Sequence, residues 1–372
     1  MKVLYVATVR SHIGQFHMPV IKALKDSGHI VHAAFKDNSI DKPGLDLSIL
    51  DKTFNVPFAR SPYSTDNVSA YKRLKEIIDT GEYDIIHCHT PVGGVVTRLA
   101  AMDARKKGTK VFYTAHGFHF YKGASKLNWA LFFPVEKMLS GYTDTLITIN
   151  KEDYDNAVNH HFKANRIVKI NGVGVDLSKF HIVDNQRKEQ IRKSLSISDD
   201  TFVMLYAADL SKRKNQPMIF DSLAKLSERN RKILLLCPGQ PILKDEYVQK
   251  CNELGISEMV EFMGYRRDID QLLAACDCVI SSSRQEGLPL NLIEAAASGK
   301  YIIATDVRGN ADVVAQSGYG ELVALNDSDA MAKAIYKRIN SKDEMPQSAH
   351  QRVAVYDEKQ IVHEVMKLYQ SA

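Results

Sequence analysis

Two glutamates separated by seven residues, Glu286 and Glu294, stand in the run Ser283-Arg284-Gln285-Glu286-Gly287-Leu288-Pro289-Leu290-Asn291-Leu292-Ile293-Glu294. The run follows an apolar stretch, Asp277-Cys278-Val279-Ile280-Ser281, which reads as a buried parallel strand. Glu286 and Gly287 then form a turn, Pro289 suits the first position of a helix, and Leu290 to Ala297 continue it. Free amides at such a helix start, with the positive end of its dipole, suit a phosphate or diphosphate. Carboxylates cannot hold phosphate, so Glu286 and Glu294 should accept hydrogen bonds from neutral hydroxyls on either side of it. Hydroxyls flanking a diphosphate describe a nucleotide sugar. The plainer alternative is an amphipathic helix whose two glutamates face solvent.

The elements that must position these groups alternate along the whole chain, in the pattern of βαβ units and parallel sheets. A first series of strands is expected at Val3–Val9, Ile30–Phe35, Asp84–His89, Lys110–His116 and Asp144–Ile149. A second is expected at Thr201–Ala207, Lys232–Pro238, Met259–Gly264, Asp277–Ser281 and Tyr301–Asp306. Asn171-Gly172-Val173-Gly174-Val175-Asp176 reads as a linker between them. At 372 residues the chain has room for two domains. A net charge of +5 is too mild to argue for nucleic acid but suits an enzyme of diphosphates near an anionic membrane. The five cysteines lack metal-ligand spacing and read as reduced, buried thiols of a cytosolic protein. The N-terminus opens directly on a strand, without a secretory signal, and no apolar run is long enough to span a membrane.

The E-x7-E pair inside S-R-Q-E-G-L-P-L-N-L-I-E-A-A-A-S-G-K resembles the signature of family 4 glycosyltransferases. That resemblance implies an α/β GT-B architecture, two Rossmann-like parallel-sheet domains facing each other across a cleft. The expected domains are 1–170 on the acceptor side and 171–355 on the donor-nucleotide side, with a last helix in 356–372 crossing back onto the first. It also implies that Glu286, with the amides of Gly287 and Leu288, holds the donor sugar, and Glu294 the ribose. The segment Ala208-Asp209-Leu210-Ser211-Lys212-Arg213-Lys214-Asn215 is similar to the family's G-R-L-x-x-x-K-G element. By that match Lys214 meets the donor diphosphate, and Arg213 or Lys212 supplies the charge of the missing arginine. Thr114-Ala115-His116-Gly117 resembles the family's T-x-H-G, which makes His116 the candidate for a sugar hydroxyl or for the developing charge.

Arg10-Ser11-His12-Ile13-Gly14-Gln15-Phe16-His17 occupies the place of the family's glycine-rich loop but keeps only Gly14. Gly14 is therefore either a close backbone approach to the donor or a plain turn. Phe262-Met263-Gly264-Tyr265-Arg266-Arg267-Asp268 resembles the turn beside the nucleobase, with Tyr265 as its donor-side residue. His17, His89 and His119 are candidates on the acceptor side. Lys122 to Leu139, holding the only Trp, two adjacent Phe and three Lys, reads either as a membrane-facing segment or as a helix packed on its sheet.

These readings converge on a retaining hexosyltransferase. It would move a hexose from a nucleotide diphosphate donor, expected to be UDP-linked, to a hydroxyl of a glycan acceptor. The H-G-F-H-F-Y-K-G-A run resembles enzymes of bacterial capsular or exopolysaccharide assembly, which implies a polyprenyl-diphosphate sugar acceptor and peripheral work at the inner face of the cell membrane. The resemblance implies no metal and no cofactor. Two rival classes are a GT-B sugar-nucleotide epimerase and a non-catalytic nucleotide-sugar-binding protein. A dehydrogenase is disfavoured because G-x-G-x-x-G is missing after the first strand.

Overall fold

The computed structural model describes residues 1–40, 44–59, 61–227, 232–341, 343 and 345–372. The chain divides into two compact units, Met1–Gly174 with Glu358–Ala372, and Val175–Asp357.

The first unit is built on β1 (Lys2–Val9), β2 (Ile30–Lys36), β3 (Lys52–Asn55), β4 (Ile85–His89), β5 (Lys110–Ala115), β6 (Thr145–Thr148) and β7 (Arg166–Lys169). They pair in the order β3-β2-β1-β4-β5-β6-β7, and every pairing is parallel. Helices cover such a sheet on both faces, which is why β1 is apolar without alternation and every residue of β4 is buried. The order reverses between β1 and β4. Open α/β sheets bind ligands at that switch point, beyond the carboxyl ends of the strands. The helices used below are α1 (Arg10–Phe16), α2 (Met18–Asp26), α3 (Asp66–Gly81), α4 (Pro91–Ala100) and α5 (Lys126–Ser140).

The second unit holds β8 (Phe202–Leu205), β9 (Ile233–Pro238), β10 (Val260–Gly264), β11 (Cys278–Ser281), β12 (Tyr301–Thr305) and β13 (Gly320–Val323). This sheet is again parallel, in the order β10-β9-β8-β11-β12-β13, with its switch point between β8 and β11. Two of its helices matter to the site: α6 (Gln216–Ala224) and α7 (Leu290–Ala297). A last helix, α8 (Glu358–Gln370), belongs to the first unit. Its buried Ile361, Val365, Leu368 and Tyr369 recur at helical spacing, and α8 packs along α2. All five cysteines are buried and unpaired.

Two local expectations are corrected. Residues 10–16 form α1, with no glycine loop after β1. A Cβ on Gly14 would lie 3.1 Å from Leu45, so this glycine makes room for a side chain of its own unit. Pro289 is the extended residue just before α7 rather than its first helical residue.

Candidate active site

In the second unit the loops after β8, β11 and β12 meet at the switch point. Tyr206, at the end of β8, donates its hydroxyl to the Lys214 carbonyl at 2.8 Å. Ser282, just past β11, donates to the carbonyls of Lys214 and Asn215 at 3.0 and 2.8 Å. Asn215 itself is left-handed, with φ 56°, and turns the chain into α6. These bonds fix the backbone under Lys214, so that its ammonium lies 2.5 Å from Glu286 Oε1 while Arg213 lies 3.0 Å from Oε2. Burial alone would raise the Glu286 carboxyl, but the Lys214 and Arg213 charges hold it below the usual range. Sequence reasoning gave these residues separate ligands; the structure joins them in one charge cluster. Lys212 and Arg213 are both exposed, and it is Arg213 that pairs with Glu286, as the second cation of the cluster.

The turn after Glu286 is held from the loop beyond β12. Arg308 donates from Nε to the Glu286 carbonyl at 3.0 Å. Gly309, at φ +81°, sits so close that a Cβ there would lie 2.5 Å from the Gly287 carbonyl. Gly287 and Leu288 thus lead into α7 in a fixed pose. The first intrahelical bonds run from Leu292 and Ile293 to the Pro289 carbonyl, which leaves the amides of Leu290 and Asn291 at the helix start for an anion. Glu294 follows on α7. Among the described residues no hydrogen bond or ion pair reaches its half-buried carboxylate, and burial raises it to about 7. Unlike Glu286, it is a carboxylate with nothing to hold. Tyr265 is 53% exposed just past Gly264, and Arg266 is tied up by Asp268 at 2.8 and 2.5 Å.

In the first unit the switch point is lined with imidazoles. His89 ends β4, His116 follows β5, His12 lies in α1 and His17 at the α1–α2 junction. The rings of His12 and His17 stack at 5.1 Å, those of His17 and His89 at 3.7 Å, and His116 meets His12 edge-on at 4.8 Å. His116 Nε2 is 3.4 Å from His89 Nδ1. Burial lowers all four: His12 to about 4, and His17, His89 and His116 well below the ordinary value. That shift favours the neutral form of His116, which can donate one hydrogen bond and accept another. Behind the row, Tyr369 of α8 reaches His87 at 2.5 Å and Tyr5 at 2.7 Å, and His87 reaches Thr114 at 2.7 Å. His119 stands apart, stacked on Phe132 of α5.

Ring nitrogens of His12, His17 and His116 come within 4.8 Å of one another, the one group among the described residues able to hold a metal ion. His12 Nδ1, His17 Nε2 and His89 Nε2 are buried without a partner. The same neutral nitrogens suit the hydroxyls of a sugar. Thr90, between β4 and α4, has φ 66° and ψ 150°, a region that costs a side-chain-bearing residue strain, and its hydroxyl lies 2.6 Å from that of Thr8.

Sequence reasoning missed His12, Tyr206, Thr90 and Arg308. All four lie at or just beyond a strand's carboxyl end, so the rule that located the other motifs could have found them.

The model of the family described as Glycosyltransferase Family 4 matches residues 20–179, and that of Glycosyl transferases group 1 matches residues 187–354. A relative named "Putative glycosyltransferase EpsD", from Bacillus subtilis (strain 168), is 38% identical over 371 residues, 99% of this chain and 96% of its own. The N,N'-diacetylbacillosaminyl-diphospho-undecaprenol alpha-1,3-N-acetylgalactosaminyltransferase of Campylobacter jejuni is 25% identical over 99% of this chain and 98% of its own. Among solved structures, Anabaena Alr3699/HepE in complex with UDP and glucose superposes with a TM-score of 0.80 over the full length of both chains, at 21% identity.

Proposed function

The chain belongs to the family 4 glycosyltransferases and has their GT-B fold, and from that premise we propose a retaining transfer of a hexose from a UDP-sugar to a lipid-linked glycan. One observation carries the reading: at the switch point of the second unit, an ion-paired carboxylate, Glu286, and an unpartnered one, Glu294, flank the open amides of α7. The diphosphate would take the amides of Leu290 and Asn291. Lys214 and Arg213 would turn from Glu286 toward it as the bond to the sugar breaks, which stabilises the departing diphosphate. Glu286, thereby released, accepts hydroxyls of the hexose, and Glu294 accepts those of the ribose. Supplied with these cations, the donor site needs no metal.

The acceptor would be a diphosphate-linked polyprenyl sugar, the class named for the Campylobacter relative. It would bind in the first unit, where His116 donates to a sugar hydroxyl and the row from His12 to His89 offers further neutral partners. The enzyme would meet that lipid from the inner surface of the bilayer; no helix among the described residues is long and apolar enough to cross a membrane. Retention of the anomeric configuration rests on family membership.

Calorimetric titration of UDP, GDP, ADP and NAD, each with EDTA, into wild type and Glu294→Ala tests the donor site. Tight binding of UDP, weakened about ten- to hundred-fold in the variant, is the expected result. Binding indifferent to Glu294, or preference for NAD, would sink the reading.

A further inference from the structure

Beside the imidazole row of the first unit lies a cavity of about 870 Å³ that the donor chemistry leaves unused. Its walls come from α3, α4 and α5, with Val68, Val96, Leu99, Phe132 and Val135 inside. One end reaches Thr8, Thr90 and Gly117, next to His116 at the switch point. The lining also holds two apolar groups that stand in solvent, Tyr63 at 76% exposed and Val68 at 58%.

α5 is apolar on two faces. Inward, Trp129, Phe132 and Phe133 pack on the core, and Ser125 caps the helix through the Asn128 amide. Outward, Leu127, Leu131, Pro134, Val135 and Met138 are exposed at helical spacing, and Leu131 and Val135 carry that stripe into the cavity. The one acid of the helix, Glu136, is turned inward onto Arg98 at 2.8 Å and is buried. The other charges of α5 are lysines only, Lys126 at its start and Lys137 near its end.

We propose that this cavity is the binding site for the hydrocarbon tail of the lipid-linked acceptor. The tail would enter from an anionic bilayer along the α5 stripe, and its head group would be delivered to His116. Cavity and stripe form one apolar surface, and the lysines beside it complement a diphosphate or an anionic lipid face. The proposal rests on the acceptor assignment made above and adds the place where the tail is held.

Trp129, the only tryptophan, sits on α5 and reports binding by its emission. The full chain is titrated with geranylgeranyl diphosphate and with isopentenyl diphosphate, which share a head group and differ in tail. Each fully buried methylene strengthens binding roughly fourfold, so the long tail should bind at least about tenfold more tightly. Val95→Phe, which fills the cavity, and Tyr63→Asp, at an exposed position of its lining where folding is spared, should each abolish that preference. Leu127→Glu with Met138→Glu should weaken binding to phosphatidylglycerol vesicles and leave the soluble probe unaffected. Equal affinity for the two diphosphates, or a preference that survives both cavity variants, overturns the proposal. UDP affinity is measured in the same samples: its loss from wild type counts against the donor reading, whereas normal UDP affinity without a tail preference counts against the cavity alone.

Discussion

Lys214 and Glu286 neutralise each other before any substrate arrives, so binding must exchange one charge partner for another. Lys214→Met would leave a buried carboxylate with Arg213 alone. We expect kcat/KM to fall on the order of 10²- to 10³-fold, with a loss of about 1–3 kcal/mol of stability, read by steady-state kinetics and urea unfolding. Glu294 is the opposite case. Its carboxyl, raised to about 7, is part-protonated at neutral pH and must be ionised to accept two ribose hydroxyls. UDP binding should therefore release a proton near pH 7 and weaken as the pH falls below it. Titration calorimetry in buffers of different ionisation enthalpy checks the proton, and Glu294→Gln should abolish it.

Each element of the site is a strand end, and that explains what could be read from the sequence. Central strands such as Val3–Val9 and Asp277–Ser281 are continuous apolar runs because both faces are covered, and the ten expected strands are all present. Lys52–Asn55, Arg166–Lys169 and Gly320–Val323 went unread because they are four-residue strands at the sheet edges with charged or exposed positions. α1 went unread because Val9 gives it no side-chain cap and Gly14 interrupts it. The imidazole row could not be foreseen as a unit: positions 12, 17, 89 and 116 meet only because β1, β4 and β5 lie side by side. The loop beyond β12 gives a test at this scale. Gly309→Ala would drive a methyl against the Gly287 carbonyl and shift the turn that carries Glu286, so UDP affinity should fall about tenfold or more while far-UV circular dichroism is kept.

Across the whole molecule the buried imidazoles and Glu294 answer acid in opposite directions. His12 and His87 stay neutral in the folded first unit, pushed down to about 4 and about 3, whereas in the unfolded chain they take up protons below about 6.5. Their contribution to that unit's stability is complete above about pH 6.5 and is lost as the pH falls below it. Glu294 holds its proton in the fold up to about 7 and loses it near 4.3 when unfolded, so its contribution is present at low pH and is lost as the pH rises from about 4.3 to 7. Thermal melts followed by Trp129 should therefore drop between pH 7 and pH 5. Glu294→Gln should raise the calorimetric transition of the second unit at pH 8 and leave the Trp129 melt where it was. Melts by Trp129 that stay flat over that range would contradict a neutral row.

The return of α8 to the first unit has a consequence for how the chain is made. Tyr369, which closes the core behind the row by bonding His87 and Tyr5, is synthesised after the entire second unit. A ribosome moving along this message thus exposes a nascent first unit that cannot be finished, while the inserted unit emerges and folds ahead of it. Translation that stops short of residue 358 would release a half-built product with an uncapped sheet and two buried polar groups left without their phenol, an obvious client for chaperones and proteases.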